Sequence, residues 1–172
     1  MGGGGLYSAV ERFRSIGRLP RVHAVQPEGC STVAASFARG DQKIRPVVST
    51  TRVSGLAVPF DIDAGSALER LRACGGQALE VSDDAIFAAQ TMLMEEGIYC
   101  EPAGAAALAG WLKAFDERLI RPQDPAICLV TGHGSKDPLS VQAIARRHPA
   151  LEAAADRVGA CLEELLRRPP SC

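Results

Sequence analysis

Two short stretches carry the residue types that could do chemistry. The first is Gly2-Gly3-Gly4-Gly5, which runs straight into Leu6-Tyr7-Ser8-Ala9-Val10-Glu11-Arg12-Phe13. Glycines let an anion approach backbone N–H groups with no Cβ in the way. A helix beginning there adds unpaired N–H groups and the positive end of its dipole. Together they form a cradle for phosphate. The same four residues also read as a flexible glycine leader, and composition alone leaves the two readings open. The second stretch is Thr131-Gly132-His133-Gly134-Ser135-Lys136-Asp137-Pro138, a polar turn after an apolar run. A phosphorylated ligand, with its phosphate at the first stretch and its ring near the second, is the economical reading.

Other candidates weigh less. Cys30 and Cys100 have no histidine within a few residues to activate them, so buried thiols are expected. His23 alternates within an expected strand and reads as packed. Asp61, Asp63 and Glu28 could meet a divalent cation, but their spacing matches no established loop, so solvated turn acids and no metal are expected. The arginine pairs at 146–147 and 167–168 read as helix-end charges. There are three lysines, Lys43, Lys113 and Lys136. Lys43 falls in a polar loop, Lys113 on the outer side of a helix, and Lys136 in the Thr131–Pro138 turn.

Positioning those groups requires an alternating chain. Leu6, Val10 and Phe13, with Ile16 close behind, predict an amphipathic helix that Gly17 stops. Arg21–Gln26 reads as a strand and residues 31–39 as a helix with Val33 and Phe37 inward and Gly40 as terminator. Gly40–Arg45 is a polar loop. Pro46–Pro59 is open between extended chain and loop, and Asp61–Gly65 is turn-like. Ser66 with Glu69 forms a capping box for a helix that ends at Gly75-Gly76. Gln77–Val81 is a strand with Leu79 and Val81 on one face. Ser82 caps a helix carrying Ile86, Ala89 or Gln90, and Leu93, and Gly97 ends it. Ile98-Tyr99-Cys100 reads as short and extended. Glu101-Pro102 opens an alanine-rich helix, Ala103–Phe115, with a stripe of Leu108, Trp111, Leu112 and Phe115. The apolar run in Pro125–Thr131 has the mark of a strand buried on both faces. A last helix is expected from Pro149 to Arg167. The class is α/β, three-layered, with a mostly parallel sheet and flanking helices. Ligands of such sheets sit beyond the carboxyl ends of the strands.

With 172 residues, 47% hydrophobic and 23% charged, the chain can bury one core. A net charge of −1, with no run of five like charges, gives no support to a nucleic-acid or membrane-surface role. No apolar run is long enough to span a bilayer, and the basic-then-apolar order of a signal peptide is absent. The six scattered cysteines, with no CxxC pair, fit reduced thiols in a cytoplasm.

Five segments then resemble a known family, in order. They are Gly2-Gly3-Gly4-Gly5-Leu6, Val25-Gln26-Pro27-Glu28-Gly29, Val81-Ser82-Asp83-Asp84-Ala85-Ile86, the run from Glu95 through Tyr99, Glu101 and Gly104 to Gly110, and Leu129 to Pro138. Together they resemble the C-terminal half of threonine synthase. More broadly they resemble the pyridoxal-phosphate (PLP) enzymes of the tryptophan-synthase-β fold type. The resemblance covers residues 2 to about 138, and the order of five motifs is more specific than any one of them. It implies a domain over 1–138; residues 139–172 lie outside the resemblance and are expected to form a helical tail packed on the same domain. It implies that Gly2, Gly3, Gly4 and Gly5 hold the cofactor phosphate, and that Thr131 meets the pyridine nitrogen with a neutral hydroxyl. Glu101 then borders the ring, with His133 and Lys136 near its edge.

The resemblance also implies what to expect elsewhere. The lysine that binds the cofactor and the serine-rich loop that grips the substrate carboxylate lie upstream of the glycine loop in this family, and the chain begins at that loop. The expected function is the C-terminal portion of a threonine-synthase-like lyase acting on an amino acid by β- or γ-elimination or replacement. It would be inactive alone, or completed by an N-terminal polypeptide or by self-association. Without its neighbours the Ile127–Val130 strand would leave apolar surface and open edges. The alternatives are a module binding PLP or another phosphorylated metabolite without catalysis, and an interaction subunit of a related enzyme.

Overall fold

The computed structural model describes Arg12, Gly17, residues 20–147 and residues 152–167, with Leu165 described by its backbone alone. The glycine stretch and nearly all of the helix expected after it lie outside the described residues. The chain divides into two units, Met1–Val141 and Gln142–Cys172.

The first unit is built on two parallel strands, β1 (Ala24–Pro27) and β2 (Ala78–Val81), paired from Ala24 opposite Ala78 to Pro27 opposite Val81. Alternation along a strand sends neighbouring side chains to opposite faces. Ala24 and Ala78 accordingly pack toward α1 (Thr32–Ala38) and α2 (Ala64–Ala73), in a core with Val33, Leu68, Leu71 and Phe37. Val25 and Val81 pack toward α3 (Asp83–Glu95) and α4 (Pro102–Asp116), in a core with Ile86, Ala89, Ala105 and Ala109. The expected three-layer α/β arrangement with a parallel sheet is therefore present. The second unit contains a 3-10 turn, Ala155–Arg157, and α6 (Val158–Arg167). The boundary falls within α5 (Pro138–Ala145), a short helix that the sequence reading does not anticipate.

Local signals explain the element ends. Ser82 Oγ accepts a hydrogen bond from the Ala85 N–H at 3.1 Å, capping α3 as its sequence suggests. Gly75 and Gly97 take positive φ, 67° and 79°, just past α2 and α3, where a side chain would be strained. Cys30 and Cys100 are both fully buried. No described helix is long and apolar enough to cross a membrane.

Several expectations fail, among them the last helix, which starts at Val158 and not at Pro149, and three more fail for a physical reason. Ser66 does not cap α2. The helix starts at Ala64, and Asp61 Oδ1 accepts from the Ala64 and Gly65 N–H groups at 2.8 and 3.4 Å, so the acid upstream supplies the cap. The large residues of α4 do not form its buried face, although Leu108 packs, partly buried, against the core. Its buried residues are Pro102, Gly104, Ala105, Ala106, Ala109, Gly110 and Ala114, while Phe115 is exposed and stacks on Trp111 at 5.9 Å. A Cβ on Gly110 would collide with the Val25 side chain, so the helix approaches the sheet closely on its small face. The run Ile127–Val130 forms no strand, and Ile127 is 89% and Leu129 60% exposed. The neighbours that would bury both its faces are not among the described residues.

Pro46–Pro59 is a loop with one 3-10 turn at Ser54–Leu56. It is fastened to the start of α3 by charge. Asp83 accepts from the Thr51 hydroxyl at 2.6 Å and the Arg52 N–H at 2.7 Å, and Arg52 also pairs with Asp84 and lies over the Phe87 ring. Burial pushes the Asp83 carboxyl up, but these hydrogen bonds and the Arg52 charge outweigh it and hold its pKa below the usual value. Such a carboxylate stabilises the fold above its unfolded pKa and loses that contribution as pH falls through the folded one. Asp83→Asn should therefore destabilise the chain by about 1–3 kcal/mol at pH 7. Thermal denaturation should show the gap from wild type closing as pH is lowered to about 3; an equal gap at both pH values would mean the carboxylate charge has no part in fastening the loop.

Candidate active site

The residues from Thr131 to Lys136 dock onto the segment that leads into α4. The Glu101 N–H donates to the Gly132 carbonyl at 3.1 Å, and the Gly134 N–H donates to the Tyr99 carbonyl at 3.3 Å. Cys100 and His133 form the antiparallel bridge between the two segments. Side chains close the joint. A Cβ on Gly132 would strike the Glu101 carboxylate, and a Cβ on Gly134 would press on the Tyr99 ring. Gly104, in the first turn of α4, lies against the Gly132 backbone, with its Cβ position 3.2 Å from that residue's N and O. Glycine at 132 and 134 is thus what lets the turn sit flat on Glu101 and Tyr99.

The polar groups of this joint are few and specific. The Glu101 side chain is only 17% exposed and faces Lys136 Nζ at 4.0 Å. The His133 ring meets the edge of Tyr99 at 4.9 Å, and its Nδ1 lies 2.8 Å from the Ser135 hydroxyl and accepts from the Ser135 N–H. Thr131 is exposed, and its hydroxyl makes no hydrogen bond among the described residues. It stands next to Gly132, at the glycine-bare end of the turn.

Each residue singled out in the sequence can now be placed. Thr131, Glu101, His133 and Lys136 are brought into one joint. Gly2, Gly3, Gly4 and Gly5 lie outside the described residues. Lys43 is exposed in its loop. Lys113 is not simply on an outer face: its Nζ reaches back to donate to the Glu80 carbonyl at 2.7 Å. His23 is half-buried, and burial together with Arg21 lowers its pKa. Asp61 is occupied as a helix cap, and no group of three His, Cys, Asp or Glu side chains among the described residues could hold a metal. Tyr99 is not singled out in the sequence as part of the joint, and Gly132 is named only as a turn residue. Nothing in local spacing marks Tyr99, whereas Gly132 and Gly134 flanking His133 were a visible sign of close approach.

A cleft of about 460 Å³ opens between α3 and α4, lined by Val81, Ala85, Ala89, Ala109 and Lys113. Neither Glu101 nor Thr131 borders it, so the joint and the cleft are separate features.

The family model described as pyridoxal-phosphate dependent enzyme matches residues 1–132. The chain belongs to that family. It is 33% identical over 125 residues to a threonine synthase of Methanocaldococcus jannaschii, covering 72% of this chain and 31% of that protein. It is 31% identical over 158 residues to a threonine synthase of Methanosarcina acetivorans, covering 89% and 39%. Among solved structures, the processed form of threonine deaminase isoform 2 from Solanum lycopersicum superposes with a TM-score of 0.65 over 85% of this chain and 42% of that one, at 20% identity, a likeness of fold. The chain thus spans about a third of the length of the curated relatives it matches. The family is PLP-dependent. The residues present fit an edge of that cofactor: a neutral hydroxyl on Thr131, exposed and without a hydrogen bond among the described residues, suits an unprotonated pyridine nitrogen, and no carboxylate of the joint is exposed in its place.

The interlock of Gly132 with Glu101 is directly testable. Gly132→Ala should force the Glu101 side chain out of its position and destabilise the chain by about 1–3 kcal/mol. In a Glu101→Ala background the same substitution should cost less than half as much, because the clashing atoms are gone. Thermal denaturation of the four proteins in this cycle measures the difference, and full additivity would show that the two residues do not interlock.

Proposed function

We propose that the chain is the C-terminal portion of a threonine-synthase-like PLP enzyme that carries out elimination or replacement at the β or γ carbon of an amino acid. The observation that carries this reading is the joint of Thr131 and Glu101, in a chain of this family whose relatives at 31–33% identity are threonine synthases. PLP, when bound, supplies an electron sink for charge developing on an amino acid's carbon skeleton. The Thr131 hydroxyl would donate a hydrogen bond to the pyridine nitrogen and, keeping its proton, would leave that nitrogen uncharged. Glu101 would border the ring, held in place by Gly132 behind it and by Lys136. Gly2, Gly3, Gly4 and Gly5 would take the phosphate through their N–H groups.

This chain does not act alone in the proposal. Such enzymes need a positioned amine to hold the cofactor and move a proton. Lys113 is committed to the Glu80 carbonyl, Lys136 faces Glu101, and Lys43 lies in an exposed loop. The amine and the grip on the substrate carboxylate belong to the other two-thirds of the enzyme, joined in one longer polypeptide or supplied by a partner. The exposed run of Ile127, Leu129 and Val130 supports this, because apolar backbone of that kind is normally covered.

With PLP, the 172-residue chain should give no visible band that borohydride traps onto a lysine. Combined with the remaining portion of the enzyme, it should give such a band, and peptide mapping should place the modified lysine outside positions 43, 113 and 136. Trapping on Lys136 in the isolated chain would overturn the division of labour. Quenching of Trp111 fluorescence by PLP, with no trapped lysine in the complete enzyme either, would favour a binding module. Thr131→Ala should weaken PLP binding to the complete enzyme by roughly 3- to 10-fold, the worth of one hydrogen bond.

A further inference from the structure

Gln90 is a polar side chain with no exposed surface, on the inner face of α3. Its Nε2 donates twice, to the Cys100 carbonyl at 2.9 Å and to the Ser140 hydroxyl at 3.0 Å. The Ser140 hydroxyl donates onward to the Asp137 carbonyl at 3.0 Å, and the Ser140 N–H to Asp137 Oδ1 at 3.1 Å. One amide therefore ties together the two sides of the candidate site. Cys100 immediately precedes Glu101, and Asp137 immediately follows the turn that carries Thr131, His133 and Lys136.

The orientation of this amide is determined by its partners. Turning it over would aim Oε1 at a carbonyl oxygen, which cannot donate. As it stands, Oε1 is buried with no partner among the described residues. A buried unpaired acceptor opposes folding, so this side chain is a poor device for stability alone. Its two donated bonds, in contrast, act on the segments that would flank the cofactor ring.

We propose that Gln90 is a positioning residue: it sets the separation between the Tyr99–Glu101 segment and the Thr131–Asp137 turn, and so aligns the Thr131 hydroxyl with the ring nitrogen. The inference rests on the PLP reading above for its functional half. Its mechanical half stands on the hydrogen bonds alone. Gln90 touches neither ring nor substrate in this proposal and acts through Cys100 and Ser140.

The test uses the complete enzyme and the variants Gln90→Leu, Gln90→Glu and Ser140→Ala. Hydrogen exchange reads the mechanical half. The N–H groups of Glu101 and Gly134, which bridge the two segments, should exchange about tenfold faster in Gln90→Leu, with β1 and β2 unchanged, as loss of two bonds implies. Ser140→Ala, which removes one bond, should show a smaller increase. PLP titration reads the functional half: the dissociation constant should rise roughly tenfold in Gln90→Leu, and the absorption band of the bound cofactor should shift. In Gln90→Glu the carboxylate faces a carbonyl when ionised but can donate once when protonated. Its PLP affinity relative to wild type should recover as pH falls, a response that a purely structural role would not give.

Wild-type exchange at Glu101 and Gly134 in Gln90→Leu would overturn the proposal. So would accelerated exchange with wild-type PLP affinity and spectrum. Should Gln90→Leu fail to fold, unchanged exchange in Ser140→Ala together with a pH-independent Gln90→Glu would overturn it equally. A wild-type enzyme that binds no PLP would instead bring down the cofactor reading, and the exchange result would still decide whether Gln90 couples the two segments.

Discussion

One helix face governs how closely the parts of the first unit approach each other. The buried residues of α4 are glycine, alanine and the N-terminal proline, and the two glycines meet different partners. Gly110 receives the Val25 side chain from the sheet, while Gly104 receives the backbone of Gly132 from the turn. Packing energy depends on contact distances, and interiors are dense enough that one methyl is felt. A side chain at either position would separate α4 from the sheet or from the turn. The close seat of the turn then makes the remaining contacts possible: the Glu101 and Gly134 backbone bonds, the Tyr99–His133 ring contact, and the Glu101–Lys136 pair.

The same face explains where pattern reading succeeds and where it fails. Strands β1 and β2, and the starts and stops of α1 and α3, follow from signals confined to a few neighbouring residues, such as Ser82 or Gly97. Periodicity of large residues misleads for α4, because the stripe from Leu108 to Phe115 runs from partly buried to exposed while the buried positions are proline, glycine and alanine. Helix propensity gives no hint that alanine and glycine line the contact, since burial there is decided by the partner's approach. The Ser66–Glu69 pair satisfies a capping motif, yet Asp61 reaches the first free N–H groups one turn earlier, so the motif has nothing left to cap.

The site was legible to a different degree. Glu101 and the Thr131–Pro138 turn were identified from an ordered set of motifs, and they do come together. Their mode of joining was not legible, because it depends on which Cβ atoms are absent at 132 and 134 and on Tyr99, whose own neighbours give no sign. Gln90 was seen only as a residue of uncertain facing, interchangeable with Ala89 in a helical stripe. Both prove buried, but a polar side chain in that position must find donors or acceptors, and the carbonyl of Cys100 and the hydroxyl of Ser140 are distant in sequence by 10 and 50 residues. Long-range satisfaction of this kind leaves no local trace.

The run Ile127–Val130 bears on the same joint. Its residues Ile127, Leu129 and Val130 are exposed, it has no strand partner among the described residues, and it leads directly into Thr131. A strand held on both sides transmits its position to the residue at its carboxyl end, whereas among the described residues Thr131 is held through Gly132 and the turn. Covering the run would add the second constraint. A neighbour covering Ile127 and Leu129, as the proposed function has it, would therefore do more than remove apolar surface from water: it would determine how firmly the Thr131 hydroxyl is directed. In the proposed enzyme, assembly of the sheet and preparation of the ring pocket are then the same event.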